Sequence, residues 1–520
     1  MHVAPREAAV GIAGLMDVTG RTEAWKDGIT MPWEKLAWLV GYAVFLGFIS
    51  VYSRSKANDL NKFVLGGRSV GPWMSAFAYG TAYFSAVIFI GYAGRLGWSF
   101  GVAATWIGVG NALIGNLLAW KVLGNRTREM TRQLKAYTMP ELLGKRYDSR
   151  ALKIVTSCVI FVFLVPYSAS VYQGLAYLFE NVMGLPFEWS MVVMACLTGL
   201  YLLVGGYIAT TLSDFIQGII MLAGVGVILF GIISRAGGMG AAMTELGSID
   251  GGVYTSVTGP DVWGLISLVI MTSLGSWGLP QMVHKFYAIK DERAVKRGTI
   301  ISTLFAVVVA GGAYFSGTFG RVILGNVPPM TNGVVDLDMV MPTILVESIP
   351  SALIGLIVVL VLAASMSTLT SVVLASSSTI ALDLVKGEIK PNMSQKSSQT
   401  LLRALCALFI ALSLVLAFNK NTAILTLMSF SWGTVAGVLL PPYLYGLYWK
   451  GATRAGAWAS VITGLGVSMI SAAVLGFDAS SAPKIGACAI LASLAVMPIV
   501  SLLTKDARNA AGLPDAERAS

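Results

Sequence analysis

Long apolar stretches, separated by short polar segments, follow one another along almost the whole chain. Each of about thirteen stretches approaches the roughly 20 residues that a helix needs to cross a bilayer. They fall at residues 34–53, 72–93, 101–123, 153–180, 188–205, 211–234, 262–288, 298–324, 352–382, 401–418, 422–448, 455–476 and 484–503. The pattern predicts an all-α integral membrane protein with about 13 transmembrane helices.

The composition excludes a water-soluble domain. Of the 520 residues, 56% are hydrophobic and 12% are charged, and the mean hydropathy is +0.74. Soluble domains carry about 25% charged residues. One transmembrane domain is therefore expected over residues 34–503. It is flanked by an extracellular tail at residues 1–33 and a cytoplasmic tail at residues 504–520.

The net charge of +10 is best explained by membrane topology rather than by nucleic acid. Lysine and arginine are densest in the segment 124–152, which also offers contacts to anionic lipid. Taking that segment as cytoplasmic, an odd number of spans places the N-terminus outside and the C-terminus inside the plasma membrane. Segment 206–210 would be a further cytoplasmic loop, and residues 342–349 would form a helix outside the membrane.

Two of the predicted spans are interrupted at corresponding places. The span 72–93 contains the polar and small residues of Gly80–Ser85, and the span 262–288 contains Gly275–Pro280. Unwound backbone within a membrane requires a protein-lined or watery cavity. Each interrupted span opens a run of five, so the chain would contain two inverted repeats, at about 72–234 and 262–448. Paired interruptions of this kind indicate the central site of a secondary transporter.

Oxygen atoms suited to a cation cluster in two places. Unwinding near Gly80–Ser85 would free backbone carbonyls. The span 352–382 carries the hydroxyl-rich run 363–371, in which Ser367 and Thr368 point about 100° apart on a helix. Both could border one ion held against a neighbouring helix. The alternative is that these hydroxyls bond their own backbone or join helices.

Charged and aromatic residues within spans have competing interpretations. Asp214 is a functional candidate or a helix cap. Asp383 is expected to be a solvated helix end, and Arg95 an interfacial arginine. Tyr83, Ser276 and Trp277 lie near the interruptions, and other aromatic and polar residues of the spans are either packing or site residues. The four cysteines, at 158, 196, 406 and 488, are expected to be free thiols packed as small hydrophobes.

Four segments resemble motifs of the sodium:solute symporter family. They are Phe63–Trp73, Gly205–Ala209 with Asp214 and Gln217, Ala364–Leu369, and Gly446–Gly451. The resemblance covers roughly residues 34 to 505. It implies a LeuT-type core of two inverted five-helix repeats and sodium-driven solute uptake by alternating access. It also implies that the protein is not an enzyme and has no cofactor besides sodium as the coupling ion.

The resemblance also implies site residues. Sodium would be bound by the backbone carbonyls of Thr81, Phe84 and Ala364 and by the hydroxyls of Ser367 and Thr368. Asp214 would lie near the inward exit of the ion. A small solute, expected from this resemblance to bear a carboxylate, would be bound by side chains near the interruptions. These are Tyr83, Ser85, Tyr167, Gln173, Ser276 and Trp277.

The substrate remains open between branches of the family. Thr81–Ala86 is similar to pantothenate carriers and more loosely to monocarboxylate carriers, whereas proline carriers have an aspartate where this chain has Tyr83. Two other functions are alternatives. Proton coupling on the same fold would use Asp214, and a membrane sensor would bind solute without moving it.

Overall fold

The computed structural model describes residues 33–54, 64–331, 333–419, 422–476 and 478–504. The predicted terminal tails therefore lie almost entirely outside the described residues.

Helices dominate the described chain. Its only strands, each two residues long, form an antiparallel hairpin, β1 (Met330–Thr331) and β2 (Val334–Val335). The helices are α1 (Trp33–Arg54), α2 (Pro72–Tyr83), α3 (Ala93–Phe100), α4 (Thr105–Ala112), α5 (Asn125–Gln133), α6 (Met139–Arg146), α7 (Arg150–Met183), α8 (Phe187–Arg235), α9 (Met239–Ser248), α10 (Val262–Val269), α11 (Pro280–Ala288), α12 (Glu292–Gly317), α13 (Gly320–Ile323), α14 (Val340–Ser348), α15 (Ser351–Ser378), α16 (Gln395–Ala417), α17 (Ile424–Tyr448), α18 (Arg454–Leu475) and α19 (Ala482–Leu503).

Short 3₁₀- and π-helical segments join several of these helices. The 3₁₀ segments are Gly66–Arg68, Gly101–Ala104, Ile249–Thr255, Gly275–Gly278 and Leu337–Met339. The π-helical segments are Val87–Tyr92, Leu113–Leu118, Trp120–Gly124, Ile270–Leu274 and Thr379–Ile389. Such π-helical turns are often found at functional sites.

Nine helical runs in the described chain are long and apolar enough to cross a membrane, and ten if one bent pair counts as a single span. The predicted count of thirteen is not confirmed. The predicted spans 34–53 and 188–205 correspond to shorter apolar stretches, Ala37–Ile49 and Phe187–Leu200. The structure nevertheless confirms an all-α membrane protein.

The predicted loop at 206–210 is wrong, because helix α8 continues through it. Straight, this helix would be about 73 Å long at about 1.5 Å per residue. Its two ends contact neighbouring elements of the chain. The ring of Phe187 packs on Tyr177 near the end of α7, where Asn181 contacts Met339, and Gly231 faces Ile349.

Both predicted interruptions are confirmed. Helix α2 ends at Tyr83, and Phe84 is extended (φ −105°, ψ 100°) before helical geometry resumes. In the second interrupted span, Leu279 is extended (φ −83°, ψ 121°) and Pro280 begins α11. The two parts of that span meet at 44°. Proline at the first position of a helix costs no hydrogen bond, so the bend occurs where the sequence tolerates it.

The ends of the two interrupted spans are joined on the side predicted to be cytoplasmic. Val70 forms a parallel β-bridge with Ile289, in which the Val70 N–H donates to Ala288 O and the Lys290 N–H to Val70 O. The Arg132 guanidinium donates to the carbonyls of Ile289 and Lys290. The start of α2 and the end of α11 are thus held together directly.

Burial separates the core helices from the peripheral ones. The most apolar window of α17 is 94% buried and that of the run Ser351–Ile389 is 83% buried, against 28% for α18. The prediction that the cysteines are packed in the interior is wrong for three of the four. All four are free, but Cys158, Cys196 and Cys488 are exposed on the helix surfaces and only Cys406 is buried.

Two predictions for charged residues near helix ends were also wrong. Asp383 is buried rather than solvated, because the helical run continues past it to Ile389, and it accepts hydrogen bonds from the Thr138 and Ser157 hydroxyls. Arg95 is not the unpaired interfacial arginine that was predicted. Its Nε donates to Oδ1 of buried Asp338 at 2.9 Å.

Candidate functional site

The hydroxyl groups of α15 meet the first interruption directly. Ser367 Oγ lies 2.9 Å from the carbonyl oxygen of Thr81 and 3.0 Å from that of Ala364. Thr368 Oγ1 lies 3.1 Å from the Thr81 oxygen and 3.4 Å from that of Ala82. All these residues are buried. The structure thus brings four of the predicted sodium ligands into one oxygen cluster between α2 and α15.

This cluster has the chemistry that a small hard cation needs. Calcium, which is close to sodium in ionic radius, takes oxygen ligands at about 2.3–2.6 Å, so oxygens about 3 Å apart can share one ion. The donor set is two carbonyls and two hydroxyls, with no carboxylate among them. A set of neutral oxygens suits a monovalent ion. For Phe84, the ring stacks on Tyr83 at 4.5 Å, and its extended backbone directly follows α2.

Tyr167 connects the oxygen cluster to a second group of side chains. Its hydroxyl lies beside those of Ser85 and Thr368, but it makes no hydrogen bond to any described residue. Its ring packs edge-on against Trp432 at 5.3 Å. The hydroxyl of a buried tyrosine normally has a partner. Tyr167 is therefore available to a polar ligand at this point.

Tyr83 is held in place by a polar network within the membrane core. Its hydroxyl donates to the carbonyl of Thr272 at 2.6 Å and lies 3.2 Å from Oδ1 of Asn111. The Ser273 hydroxyl donates to the same Oδ1 at 3.0 Å. A Cβ added at Gly115 would lie 2.3 Å from the Tyr83 hydroxyl, so glycine there makes room for it.

Four buried donors in this region have no hydrogen-bond acceptor among the described residues. They are the hydroxyls of Thr81 and Tyr167, Nδ2 of Asn111 and Nε1 of Trp432. Trp432 is also 5.8 Å from the ring of Tyr83. Unpaired buried donors are rare in folded proteins. These four donors lie near the first interruption, where a ligand that accepts hydrogen bonds could pair with them.

The remaining predicted solute residues occupy different positions. The Ser276 hydroxyl donates to Ser273 O at 2.8 Å, and Trp277 Nε1 donates to Ile114 O at 3.0 Å, so both border the network around Asn111. Gln173 is not brought to this group. Its Nε2 donates to the carbonyls of Ala417 and Asn419 beyond the end of α16. Ser85 is buried beside Tyr167.

Asp214 lies one layer further toward the predicted cytoplasmic side. Its Oδ2 is 3.5 Å from Nζ of Lys285, and both side chains are almost fully buried. Lys285 Nζ also donates to the hydroxyl of Ser371 at 3.0 Å. Asp214 was among the residues predicted from the sequence, whereas Lys285 and Asn111 were not. A lysine or an asparagine inside an apolar stretch is costly, and that cost was the signal for both.

The cavities on the two sides of the site differ in size. A cavity of about 330 Å³ opens on the predicted outer side, and its lining includes Arg95, Asp261 and Leu268. A hydrogen bond from the Gly264 N–H and the ion pair with Lys484 hold the pKa of Asp261 below its ordinary value. On the opposite side, beside His284 and Thr379, the cavity is only about 10 Å³.

Comparison with known proteins identifies the family. The profile of the Sodium:solute symporter family matches residues 63–464, so the chain belongs to that family. The sodium/pantothenate symporter of Escherichia coli K12 is 31% identical over 453 residues, covering 84% of this chain and 89% of that protein. The high-affinity proline transporter of Bacillus subtilis is 29% identical over 425 residues, covering 81% and 89%.

Solved structures confirm the LeuT-type fold with its two inverted repeats. A substrate-bound, outward-open Na⁺-coupled sialic acid symporter superposes with a TM-score of 0.76 at 17% identity, covering 90% of this chain and 97% of that one. Mhp1, a nucleobase-cation-symport-1 transporter in a closed conformation, gives a TM-score of 0.52 at 14% identity, covering 85% and 95%. The chain is thus a multi-pass membrane protein of a sodium-coupled transporter family.

Proposed function

We propose that this protein imports a small carboxylate-bearing solute together with sodium, by alternating access across the plasma membrane. The observation that carries the proposal is the approach of the Ser367 and Thr368 hydroxyls to the Thr81 carbonyl at the interruption of the first core helix. These oxygens come from two separate helices, so an ion bound among them would join α2 to α15. Sodium binding would then favour one arrangement of the two helices over the other.

The proposed solute site lies against the sodium site. Tyr167 and Trp432 offer a hydroxyl and an indole N–H that have no acceptor among the described residues, and Asn111 offers an amide N–H. A carboxylate accepts several hydrogen bonds and would satisfy these donors. The aromatic rings of Tyr83, Phe84 and Trp432 would pack against the apolar part of the solute.

Pantothenate is the substrate that the comparisons favour within this class. The sodium/pantothenate symporter of Escherichia coli K12 is 31% identical over 84% of this chain. Pantothenate carries a carboxylate, an amide and hydroxyl groups, which suit a site of mixed polar donors and aromatic rings. Monocarboxylates and proline are the other candidates, since proline transporters are 27–29% identical over similar lengths.

The driving force for uptake depends on the charge of the solute. Each sodium ion that enters carries one charge down the membrane potential, which is worth about 2.3 kcal/mol per 100 mV. For a solute without net charge, such as the proline zwitterion, that is roughly a 50-fold solute gradient per ion from the voltage alone. A monoanionic carboxylate offsets the charge of one sodium ion, so uptake at one ion per solute is driven by the sodium concentration gradient. A neutral ligand set at the sodium site leaves this charge uncompensated, so transport should be electrogenic unless the solute itself is an anion.

Uptake into proteoliposomes under an inward sodium gradient tests the proposal. Pantothenate, pyruvate, lactate, acetate and proline would be offered separately, each with sodium and with potassium as a control. Accumulation of one solute only with sodium supports the proposal and identifies the substrate. Uptake driven by a proton gradient without sodium would contradict it and favour proton coupling. Binding without any uptake would favour a sensor.

A further inference from the structure

Lys285 places a buried positive charge next to the proposed sodium site. Its Nζ lies 3.0 Å from Oγ of Ser371 and 3.5 Å from Oδ2 of Asp214, with 2% of the lysine side chain exposed. Ser371 follows Ser367 by four residues on α15, so the two side chains lie on the same face, one helical turn apart. The ammonium group therefore stands one turn from the sodium ligands, toward the predicted cytoplasmic side.

The groups around the Lys285 ammonium resemble the ligands of a cation site more than the single partner of a tight salt bridge. The 3.5 Å between Asp214 Oδ2 and the Lys285 Nζ is longer than the roughly 2.7–2.9 Å of a strong charge-assisted hydrogen bond. The ammonium also faces the ring of Tyr207, at 5.3 Å from the centroid. A buried carboxylate needs a compensating positive charge. Here one carboxylate and one hydroxyl, contributed by α8 and α15, surround a single positive charge supplied by α11.

We propose that the Lys285 ammonium is a tethered cation, holding between Asp214 and Ser371 a position that would otherwise take a second monovalent cation. The inference rests on the proposed function, because it assumes that sodium binds at Ser367 and Thr368. Carboxylate and hydroxyl oxygens are suitable ligands for sodium as well as for an ammonium group. The Lys285 ammonium is favoured over a free sodium ion here, because it is covalently attached and no ion has to be bound from solution.

Lys285 also differs from a free ion because it is fixed to one helix of the second interrupted span. Lys285 belongs to α11, the part of the second interrupted span whose end is bridged to the start of α2 through Val70 and Ile289. A free ion at this position would leave with the transported sodium. The lysine stays attached to α11, directly after His284, which lines the small cavity on the predicted cytoplasmic side. In this account Lys285 is a positioning residue, which acts through Asp214.

The test is the sodium dependence of transport in Lys285→Met, measured on the full chain in proteoliposomes. The wild type should show a Hill coefficient for sodium of about one, and the variant should rise towards two, because Asp214 and Ser371 then bind a second sodium ion. The charge moved per solute should increase by one. Lys285→Arg, which keeps the cation, should retain the wild-type values. An unchanged Hill coefficient and charge ratio in Lys285→Met would overturn the proposal.

The matched control is Lys484→Met, which makes the same chemical change in another lysine–aspartate pair. Lys484 lies 2.9 Å from Asp261, but both side chains are more than a third exposed. Its Hill coefficient and charge ratio should equal those of the wild type. If Lys484→Met raised the Hill coefficient as Lys285→Met does, the effect would not belong to the buried pair, and the proposal would fail.

A second pair of variants keeps the proposal testable if Lys285→Met does not fold. In Asp214→Asn the ammonium would lack its counter-charge and repel sodium one turn away, so the half-saturating sodium concentration should rise roughly tenfold. Asp214→Asn with Lys285→Met should bring it back to within about threefold of the wild type. Failure of the double variant to restore sodium affinity would mean that the pair is only structural. Absence of sodium-dependent uptake in the wild type would instead overturn the proposed function itself.

Discussion

The hydroxyl oxygen of Ser367 lies 2.9 Å from the carbonyl oxygen of Thr81, although the two residues are 286 positions apart in the chain. Thr81 is the third residue from the end of α2, just before the first interruption, and Ser367 lies in the middle of α15. Their contact holds together two helices that the sequence assigns to different predicted repeats. An ion at this contact would therefore respond to any relative movement of the two repeats.

Removing the two hydroxyls should weaken sodium binding selectively. In Ser367→Ala with Thr368→Ala, two of the four clustered oxygens are lost, so the half-saturating sodium concentration for uptake should rise at least tenfold, equivalent to about 1.4 kcal/mol. Ser365→Ala is the matched control, because the Ser365 hydroxyl donates within its own helix to Val361 O. The control should keep wild-type sodium dependence. Equal sodium dependence in all three proteins would refute the ligand assignment.

The unpaired hydroxyl of Tyr167 should contribute to solute affinity. Tyr167→Phe keeps the ring against Trp432 but removes the donor, so solute affinity should fall by about 0.5–1.5 kcal/mol, the value of one hydrogen bond. Tyr172→Phe is the control, since that hydroxyl is also buried without a partner among the described residues but lies beside Cys196 on α8. Competition binding at saturating sodium measures both. A larger loss in Tyr172→Phe would contradict the site.

Close packing between α12 and α3 should depend on Gly317. A Cβ added there would lie 1.8 Å from the Ala93 carbonyl oxygen, whereas one added at Gly311, on the same helix, meets nothing within 4 Å. Gly317→Ala should lower the free energy of unfolding by about 1–3 kcal/mol or more. Gly311→Ala should leave it unchanged or raise it by up to about 1 kcal/mol through helix propensity. Thermal stability in detergent compares them, and equal stabilities would contradict the packing described.

The ion pair between Arg95 and Asp338 should matter more than an exposed pair. Asp338 is 2% exposed and also accepts the N–H of Ile424 at the start of α17. Asp338→Asn should destabilise the protein by up to about 3–5 kcal/mol, because the arginine loses a buried partner. Glu292→Gln, in the exposed pair with Lys296, should cost less than about 1 kcal/mol. Similar losses in the two variants would show that the Arg95 pair is effectively solvated.

The sequence predicted the parts of the site that depend on local chain chemistry. Gly275–Pro280 predicts an interruption because glycine and proline destabilise helix interiors. Ser367 and Thr368 are recognisable because their hydroxyls lie in an otherwise apolar run. Lys285 could not be paired with Asp214 in advance, since 71 positions separate them and no periodicity relates them. Asp383 was misjudged because helix ends are the least certain part of such predictions.

The most direct test of the central claim is to measure radioactive sodium and solute entry together in the same proteoliposomes, at a clamped membrane potential. Coupled transport predicts that sodium enters only when the solute is present, in a fixed ratio to it. At a sodium concentration near the wild-type half-saturating value, that flux should fall several-fold in Ser367→Ala with Thr368→Ala and persist in Ser365→Ala. Solute entry with no accompanying sodium, by folded wild-type protein, would contradict sodium coupling and the function proposed for this chain.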